Sequence, residues 1–273
     1  MIRPRPPLVH FRAVREEFRN KGPGFWIQPE WRDRFPWLVQ GTTGRPAPNQ
    51  DGPWSFPPPA RRKERTYGYS RRGLGRVLGF SSVVRSLQVH GKEVAFHPGS
   101  GGSRSTADPE ADGHLTRMPG VLLSVTVADC VPVFLVDPRR RGVGVLHAGW
   151  RGSAAGILEA GIDLMKSHLG SEAEGISVHL GPAICGSCYE VGPEVHAALG
   201  LPEPPGPRAV DLRGVLARRA VSVGVPRRKV TISSWCTLCG DSPFYSHRAG
   251  HEERQLGFIG LGRDEAGGKE EAP

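Results

Sequence analysis

Cys130 and His147 stand on either side of a short turn signal, and a thiol facing an imidazole can either share a metal ion or act as a nucleophile with its base. Between them run Val133-Phe134-Leu135-Val136, the turn Asp137-Pro138-Arg139-Arg140-Arg141-Gly142, and Val143-Gly144-Val145-Leu146. Proline fixes φ and glycine accepts a positive one, so this pattern predicts a hairpin. With the turn centred between Pro138 and Arg139, Cys130 and His147 fall opposite each other on adjacent strands. Directly opposed Cβ atoms stand roughly 4.5–5.5 Å apart, close enough for two ligands of one ion. A bulge at Pro132, or a turn centred one residue later, slips that register. The competing reading is a pair of ordinary core residues, because free cysteine is among the most buried residue types.

The neighbouring sequence favours a site. Ala148-Gly149-Trp150-Arg151-Gly152 follows the second strand, and a helical pattern starts at Ser153; a strand, a glycine-containing turn and a helix start commonly hold an anion or substrate. Upstream, Val83 to Gly91 alternates as a strand does and places Gln88 and His90 on one face. Arg45, in Gly41-Thr42-Thr43-Gly44-Arg45, ends a loop where it could reach an anion, or is one more surface arginine. The other four cysteines form Cys185-x-x-Cys188 and Cys236-x-x-Cys239. Two such pairs suggest structural zinc, but the gap between them is far longer than in a zinc ribbon, and reduced buried cysteines compete with that reading.

The elements that must carry these residues are short and mixed. Val121 to Val127 is β-branched and uncharged and reads as a strand buried on both faces. Strands are also expected at Trp37 to Gln40, Ile176 to Leu180 and Lys229 to Ser233. Helices are expected near Phe11 to Arg19, at Ser70 to Leu78, Ser153 to Leu169, Gly192 to Leu199 and Leu212 to Val223. The Pro-rich segment 46–66 and the Gly/Ser-rich segment 99–108 read as mobile loops, and the tail from Arg263 as disordered. This gives an extension over 1–30, one domain over 31–262 and a tail over 263–273.

No apolar run approaches the ~18 residues a membrane span needs, and the N-terminus lacks a secretory h-region, so the expected compartment is cytoplasmic. The net charge of +9 attracts anions, yet aromatic and basic residues do not interleave as they do in single-strand binders, so nucleic acid is not the expected partner. The odd cysteine count, five, argues against a disulfide framework.

Taken together the motifs resemble the laccase-domain family, also called YfiH-like or multicopper polyphenol oxidase, whose bacterial members include the peptidoglycan editing factor. The resemblance rests on Gly41 to Arg45, Gln88-Val89-His90-Gly91, Ala111-Asp112-Gly113-His114-Leu115-Thr116, Ala128-Asp129-Cys130-Val131-Pro132 and His147 to Gly152. It continues through Gly181 to Ile184, Cys188 to Gly192, Cys236-Thr237 and Phe244 to Arg248, and so runs over about residues 36 to 261. It implies an α/β fold, a single YfiH-like domain with mixed β-sheets covered by helices. It also implies one metal site of His90, Cys130 and His147, holding zinc or copper, with the C-x-x-C residues outside it. The family's Ser-Leu-Asn-Leu-Gly block is replaced here by the Pro-rich region from Pro46.

The resemblance implies a purine nucleoside phosphorylase that also deaminates adenosine and cleaves methylthioadenosine, with purine nucleosides and phosphate as partners. Arg151 and Arg45 are then expected to hold the anionic part of the substrate, Gln88 to contact substrate, and Asp129 either to carry a proton or to fix its loop. One alternative is a cysteine hydrolase, or peptidoglycan-precursor editing enzyme, using Cys130 and His147. Another is a copper-dependent polyphenol oxidase, which needs several His-x-His pairs for a trinuclear cluster; the sequence contains none.

Overall fold

The computed structural model describes residues 11–20, 24–45, 71–98 and 110–262. In chain order the first elements are β1 (Arg12–Val14), β2 (Glu17–Asn20), β3 (Gly24–Ile27), α1 (Pro29–Arg34), β4 (Leu38–Thr43), α2 (Arg71–Val77), β5 (Ser82–Val84) and β6 (Val94–His97). There follow β7 (Gly113–Thr116), β8 (Val121–Val127), β9 (Val131–Asp137), β10 (Gly142–Ala148), α3 (Trp150–Ala155), α4 (Ile157–Leu169) and β11 (Ser177–Leu180). The last are β12 (Glu190–Val191), α5 (Pro193–Ala198), β13 (Arg208–Ala209), α6 (Leu212–Ser222), β14 (Val230–Ser233) and β15 (Gln255–Leu261).

Two mixed sheets lie face to face. The seven-stranded sheet has the order β1-β14-β11-β9-β10-β7-β6, and the six-stranded sheet β2-β3-β4-β15-β8-β5. Period-two alternation decides which layer each side chain enters. Val143 and Val145 of β10 meet Val125 and Val127 of β8, Phe134 and Val136 of β9, and Ile259 and Leu261 of β15 between the sheets. The other face of β9 and β10 turns Val133, Leu135 and Leu146 toward Ile157, Ile162 and Met165 of α4 and Leu216 of α6. Beyond the six-stranded sheet, Leu122, Leu256 and Phe258 pack with Leu74 of α2. Each such side chain contributes roughly 1.5–3 kcal/mol on burial, and covering on both sides explains why β8, β9 and β10 are buried at every position and largely apolar.

The β9–β10 hairpin forms, with its turn one residue later than expected. Asp137 pairs with Gly142 and His147 with Pro132, so the turn is centred between Arg139 and Arg140. The Asp137 carboxylate draws the turn there by accepting from the amides of Arg139 (2.9 Å) and Arg140 (3.2 Å), while Arg141 adopts φ 49°. Cys130 is therefore not opposite His147. The displacement in pairing is two residues, an even number, which leaves both side chains in phase with the same face.

Other local expectations also change. Residues 11–19 form no helix: β1 pairs parallel with β14, and β2 and β3 join the six-stranded sheet beside β4. Buried Glu16 secures this arrangement by accepting from Ser233 Oγ (2.8 Å) and lying 3.0 Å from His179 Nε2. Tertiary pairing here outweighs a weak helical pattern. Gly41 to Thr43 continue strand β4 rather than opening a loop. The Ser153 to Leu169 pattern is two helices, divided at Gly156 with φ 92°. The strand expected over Val83 to Gly91 stops at Val84, so Gln88 and His90 do not share a strand face. Segments 46–66 and 99–108 and the tail from 263 lie outside the described residues.

Among the described residues five connections pass from one sheet to the other, β1 to β2, β5 to β6, β7 to β8, β8 to β9 and β14 to β15, and three of them bear on the site: β5 to β6, β8 to β9 and β14 to β15. The candidate chemistry gathers on these crossings.

Candidate metal centre

His147 extends the Val143 and Val145 face of β10 toward the gap between the sheets, and Cys130 lies in the β8–β9 crossing, in phase with Pro132 and Phe134. His90 comes from the β5–β6 crossing. The donor atoms of His90, Cys130 and His147 all lie within 4.8 Å of one another. The two imidazoles meet edge to face, with centroids 4.7 Å apart and planes at 75°. Zinc bonds of 2.0–2.3 Å put the donors of one tetrahedral ion about 3.3–3.7 Å apart, a spacing this cluster encloses. His147 is buried and His90 exposed, so the cluster is open on one side.

Local backbone makes the convergence possible. His90 has φ 61° and Asp129 has φ 73°, both left-handed, so each crossing bends sharply beside a ligand. Gly149 leaves space: a Cβ there would stand 3.0 Å from Cys130 Sγ and 3.2 Å from His90 Cδ2.

Asp112 organises the centre. Its Oδ1 accepts from the His90 amide (3.0 Å) and faces His147 Nδ1 at 2.7 Å; its Oδ2 accepts from the amides of Val89 (3.0 Å) and Gly91 (2.8 Å). The bond at Nδ1 leaves His147 Nε2 for the centre, the carboxylate–histidine arrangement of metal sites. Burial pushes the Asp112 carboxyl up, but the bond and charge of His147 and the amides of Gly91 and Val89 outweigh it and hold it below the usual range. Burial likewise pushes the Cys130 thiol up, yet the charge on His147 and hydrogen bonds from His147 and His90 bring it down to about 6. For His147, burial works downward, and the Cys130 charge with the bonds to Asp112 and Cys130 raise it to about 9. The protein alone thus favours a thiolate beside an imidazolium, and a cation that replaces the proton finds an anionic sulfur ready.

The other expected site residues are placed variously. Asp129 Oδ1 accepts from Thr237 Oγ1 (2.6 Å) and its Oδ2 from the Arg248 amide (2.8 Å), which fixes the β14–β15 crossing against the β8–β9 crossing. Gln88 uses both ends of its amide on Thr126: Oε1 accepts from the Thr126 amide and hydroxyl (each 2.7 Å) and Nε2 donates to the Thr126 carbonyl (2.9 Å). The Arg45 guanidinium donates to the Ser242 carbonyl, and its amide donates to Pro243 O at 2.7 Å. Arg151 is exposed on the first turn of α3, its guanidinium 4.5 Å from the Trp150 ring centroid.

Comparison with known proteins then decides the family. Residues 65–262 match the family described as multi-copper polyphenol oxidoreductase laccase. The chain belongs to this family. Purine nucleoside phosphorylase ORF3 of Streptomyces griseus is 36% identical over 203 residues, covering 71% of this chain and 81% of that protein. Adenosine deaminase RL5, from an unknown prokaryotic organism, is 35% identical over 184 residues, 63% of this chain and 65% of that protein. The crystal structure of YlmD from Geobacillus stearothermophilus superposes with a TM-score of 0.72 at 29% identity, over 91% of this chain and 100% of that one. That of a YfiH protein from Bacillus licheniformis gives 0.71 at 27%, over 89% and 98%. The single α/β YfiH-like fold expected from the motifs is the one observed.

The laccase-family name does not carry over to the donor groups. Among the described residues, His, Cys, Asp and Glu gather as possible metal donors in two places, the His90/Cys130/His147 cluster and the four remaining cysteines. Neither offers the set of histidines that a trinuclear copper cluster needs. Sequence reasoning missed Asp112, which lies within a matching motif but signals nothing by type or spacing. It also missed Tyr189, Arg248 and Arg254. Burial and the Cys130 charge raise the Tyr189 phenol to about 12 against the opposing charges of Arg248 and Arg151, which places all four groups within electrostatic reach. Arg248 stacks its guanidinium 5.4 Å from the Tyr189 ring centroid. Half-buried Arg254 has its pKa lowered by burial, against the charges of Asp129 and Cys130. Arg248 and Arg151 are thus within charge range of Tyr189, and Arg254 within charge range of Cys130. Among the described residues no helix is long and apolar enough to cross a membrane.

Proposed function

We propose that the protein is a zinc-dependent purine nucleoside phosphorylase that also deaminates adenosine and cleaves methylthioadenosine. The observation that carries this reading is the open His90/Cys130/His147 cluster, in a chain whose relatives bear the names purine nucleoside phosphorylase and adenosine deaminase. Zinc held by two imidazoles and a thiolate supplies Lewis acidity to a substrate oxygen or to water. In phosphorolysis the C1′–N9 bond breaks, a phosphate oxygen bonds to C1′, and the base leaves with a proton. In deamination water adds at C6 and ammonia leaves.

The chain's own groups bind and orient. Arg151, exposed at the start of α3, offers a guanidinium fork that suits the phosphate dianion, while Arg248 is held at Tyr189 by donating to the Glu190 carbonyl (3.1 and 3.2 Å). The Tyr189 phenol stays protonated and can donate to a substrate oxygen. Asp112 holds His147 and turns His90, and Asp129, with both oxygens engaged, positions the loop that carries Cys130. Gln88 and Arg45 enter the reading through the segments they secure, before His90 and before Arg248 respectively.

A second reading has a specific observation behind it: Cys130 and His147 lie with their donor atoms within 4.8 Å, each drawing the other toward its charged form, as a cysteine hydrolase acting on a cell-wall precursor would use. Purified protein assayed with adenosine, inosine and methylthioadenosine, with and without phosphate, separates the two. Under the proposal, chelation abolishes turnover, zinc restores it, His147→Ala is inactive, and Arg151→Ala raises the KM for phosphate with zinc content unchanged. Full turnover by demonstrably metal-free protein overturns the proposal in favour of the Cys130 nucleophile.

A further inference from the structure

The four cysteines outside the candidate centre stand far apart in sequence but not in space. Strands β11 and β14 are parallel neighbours, with Val178 beside Val230 and Leu180 beside Ile232. Parallel strands deliver their following loops to the same end of a sheet, and the pairing continues past the strands in a bridge between Ala183 and Cys236. Cys185 and Cys188 follow β11, and Cys236 and Cys239 follow β14. The long gap between the pairs is occupied by β12, α5, β13 and α6, a return path that leaves their separation in space untouched.

The Sγ atoms of Cys185, Cys188, Cys236 and Cys239 all lie within 4.8 Å of one another. Cys185 Sγ and Cys239 Sγ are 3.8 Å apart. That is nearly twice a disulfide bond of about 2.05 Å. It equals the separation of two sulfurs on one tetrahedral zinc, since bonds of about 2.3 Å place their ends about 3.8 Å apart. A second observation points the same way. Buried Cys236 accepts on its sulfur from three backbone amides, those of Cys185 (3.3 Å), Leu238 (3.3 Å) and Cys239 (3.4 Å). N–H donors converging on one sulfur suit the anionic sulfur of a metal-bound cysteine. Arg213, itself buried, steadies the approach by donating to the carbonyls of Ser233 (2.8 Å) and Trp235 (2.7 Å).

We propose that Cys185, Cys188, Cys236 and Cys239 bind a second zinc ion, closed and structural, distinct from the ion held by His90, Cys130 and His147. Binding replaces the thiol protons, which pass to solvent, and leaves no open ligand position. The ion ties together two loops that support the first centre: the Ile184 amide donates to Asp129 O (3.2 Å), the Thr237 amide to Ala183 O (3.2 Å), and Thr237 Oγ1 to Asp129 Oδ1. The laccase-family resemblance, read from sequence, places these cysteines outside any metal site, and this proposal departs from that expectation. The assignment is independent of the activity proposed above.

Metal analysis of the full chain, purified under reducing conditions with zinc supplied, tests it. The wild type should hold two zinc ions per chain, Cys130→Ala one, and the Cys185→Ser/Cys188→Ser double variant one. X-ray absorption at the zinc edge of Cys130→Ala should then show a shell of four sulfurs at about 2.3 Å and no nitrogen. The Cys130→Ala measurement leaves the four cysteines intact and decides the matter even where the double variant does not fold. One zinc in the wild type together with none in Cys130→Ala overturns the proposal. So does recovery of these cysteines as disulfides in freshly isolated protein.

Discussion

Replacing Asp112 by asparagine should disable the first metal centre and weaken the fold by separable amounts. Both carboxylate oxygens act only as acceptors, each for two donors: Oδ1 for the His90 amide and His147 Nδ1, Oδ2 for the amides of Val89 and Gly91. An asparagine keeps one oxygen, so in either orientation its NH2 group meets two N–H donors and two hydrogen bonds are lost. Hydrogen bonds to a charged group are worth about 1.5–3 kcal/mol each, so the loss is about 3–6 kcal/mol before donor–donor repulsion is added. For a chain of this size that lowers Tm by on the order of 10 °C. Three of the four donors are backbone amides, so most of the drop should persist in chelated protein. Loosening His147 should weaken zinc binding about 10- to 100-fold, the usual effect of removing a ligand's hydrogen-bond partner. Competition with a chromogenic zinc chelator reads the affinity, and thermal unfolding with and without chelator reads the fold. Wild-type affinity together with a wild-type Tm in Asp112→Asn would refute the role assigned to this carboxylate.

Gly149→Ala isolates the steric requirement of the centre. Gly149 has φ −76° and ψ 173°, which alanine adopts freely, so only the approach to Cys130 Sγ and His90 Cδ2 changes. Overpacking of about 1–3 kcal/mol predicts zinc affinity lowered roughly 5- to 150-fold with little change in the Tm of chelated protein; unchanged affinity counts against the close approach. His114 should steepen the loss of stability in acid. Burial, with the nearby charge of His97, outweighs Asp112 and lowers it to about 3 from 6.5. The unfolded chain therefore binds a proton that the folded one refuses, and stability present above pH 6.5 is lost as pH falls toward 3, by up to about 1.4 kcal/mol per pH unit. Urea unfolding at pH 7, 6 and 5 should show a smaller acid slope for His114→Gln, and an identical slope would exclude His114 as the cause.

The candidate donors were legible in the sequence because Cys130 and His147 flank a turn signal and His90 and His147 are followed by glycine-containing turns, and the structure brings the three donor atoms within 4.8 Å of one another. The route by which they meet was not. Counting outward from Pro138 misses the pull of Asp137 on the turn, a side-chain effect that moved the register by two residues. Alternation over Val83 to Gly91 suggested a strand, whereas the Asp112 carboxylate curls three successive amides around itself and gives His90 a left-handed backbone. Strand β1 was hidden because its partner β14 lies over two hundred residues later. The same blindness to long-range pairing made the gap between the two C-x-x-C pairs look prohibitive.

The crossings between the sheets bear on how this protein comes apart. His90 and Cys130 sit where the chain passes from one sheet to the other, and His147 ends a strand of the larger sheet, so an ion bound by all three works as a rivet through the sandwich. Prying the layers open must eject it. Ligand present at a thousandfold over its Kd then resists separation by about 4.1 kcal/mol. Under the zinc assignment proposed above, the durability of the fold should rise and fall with the free zinc around it, so that a cell short of zinc would lose the protein itself as well as its activity.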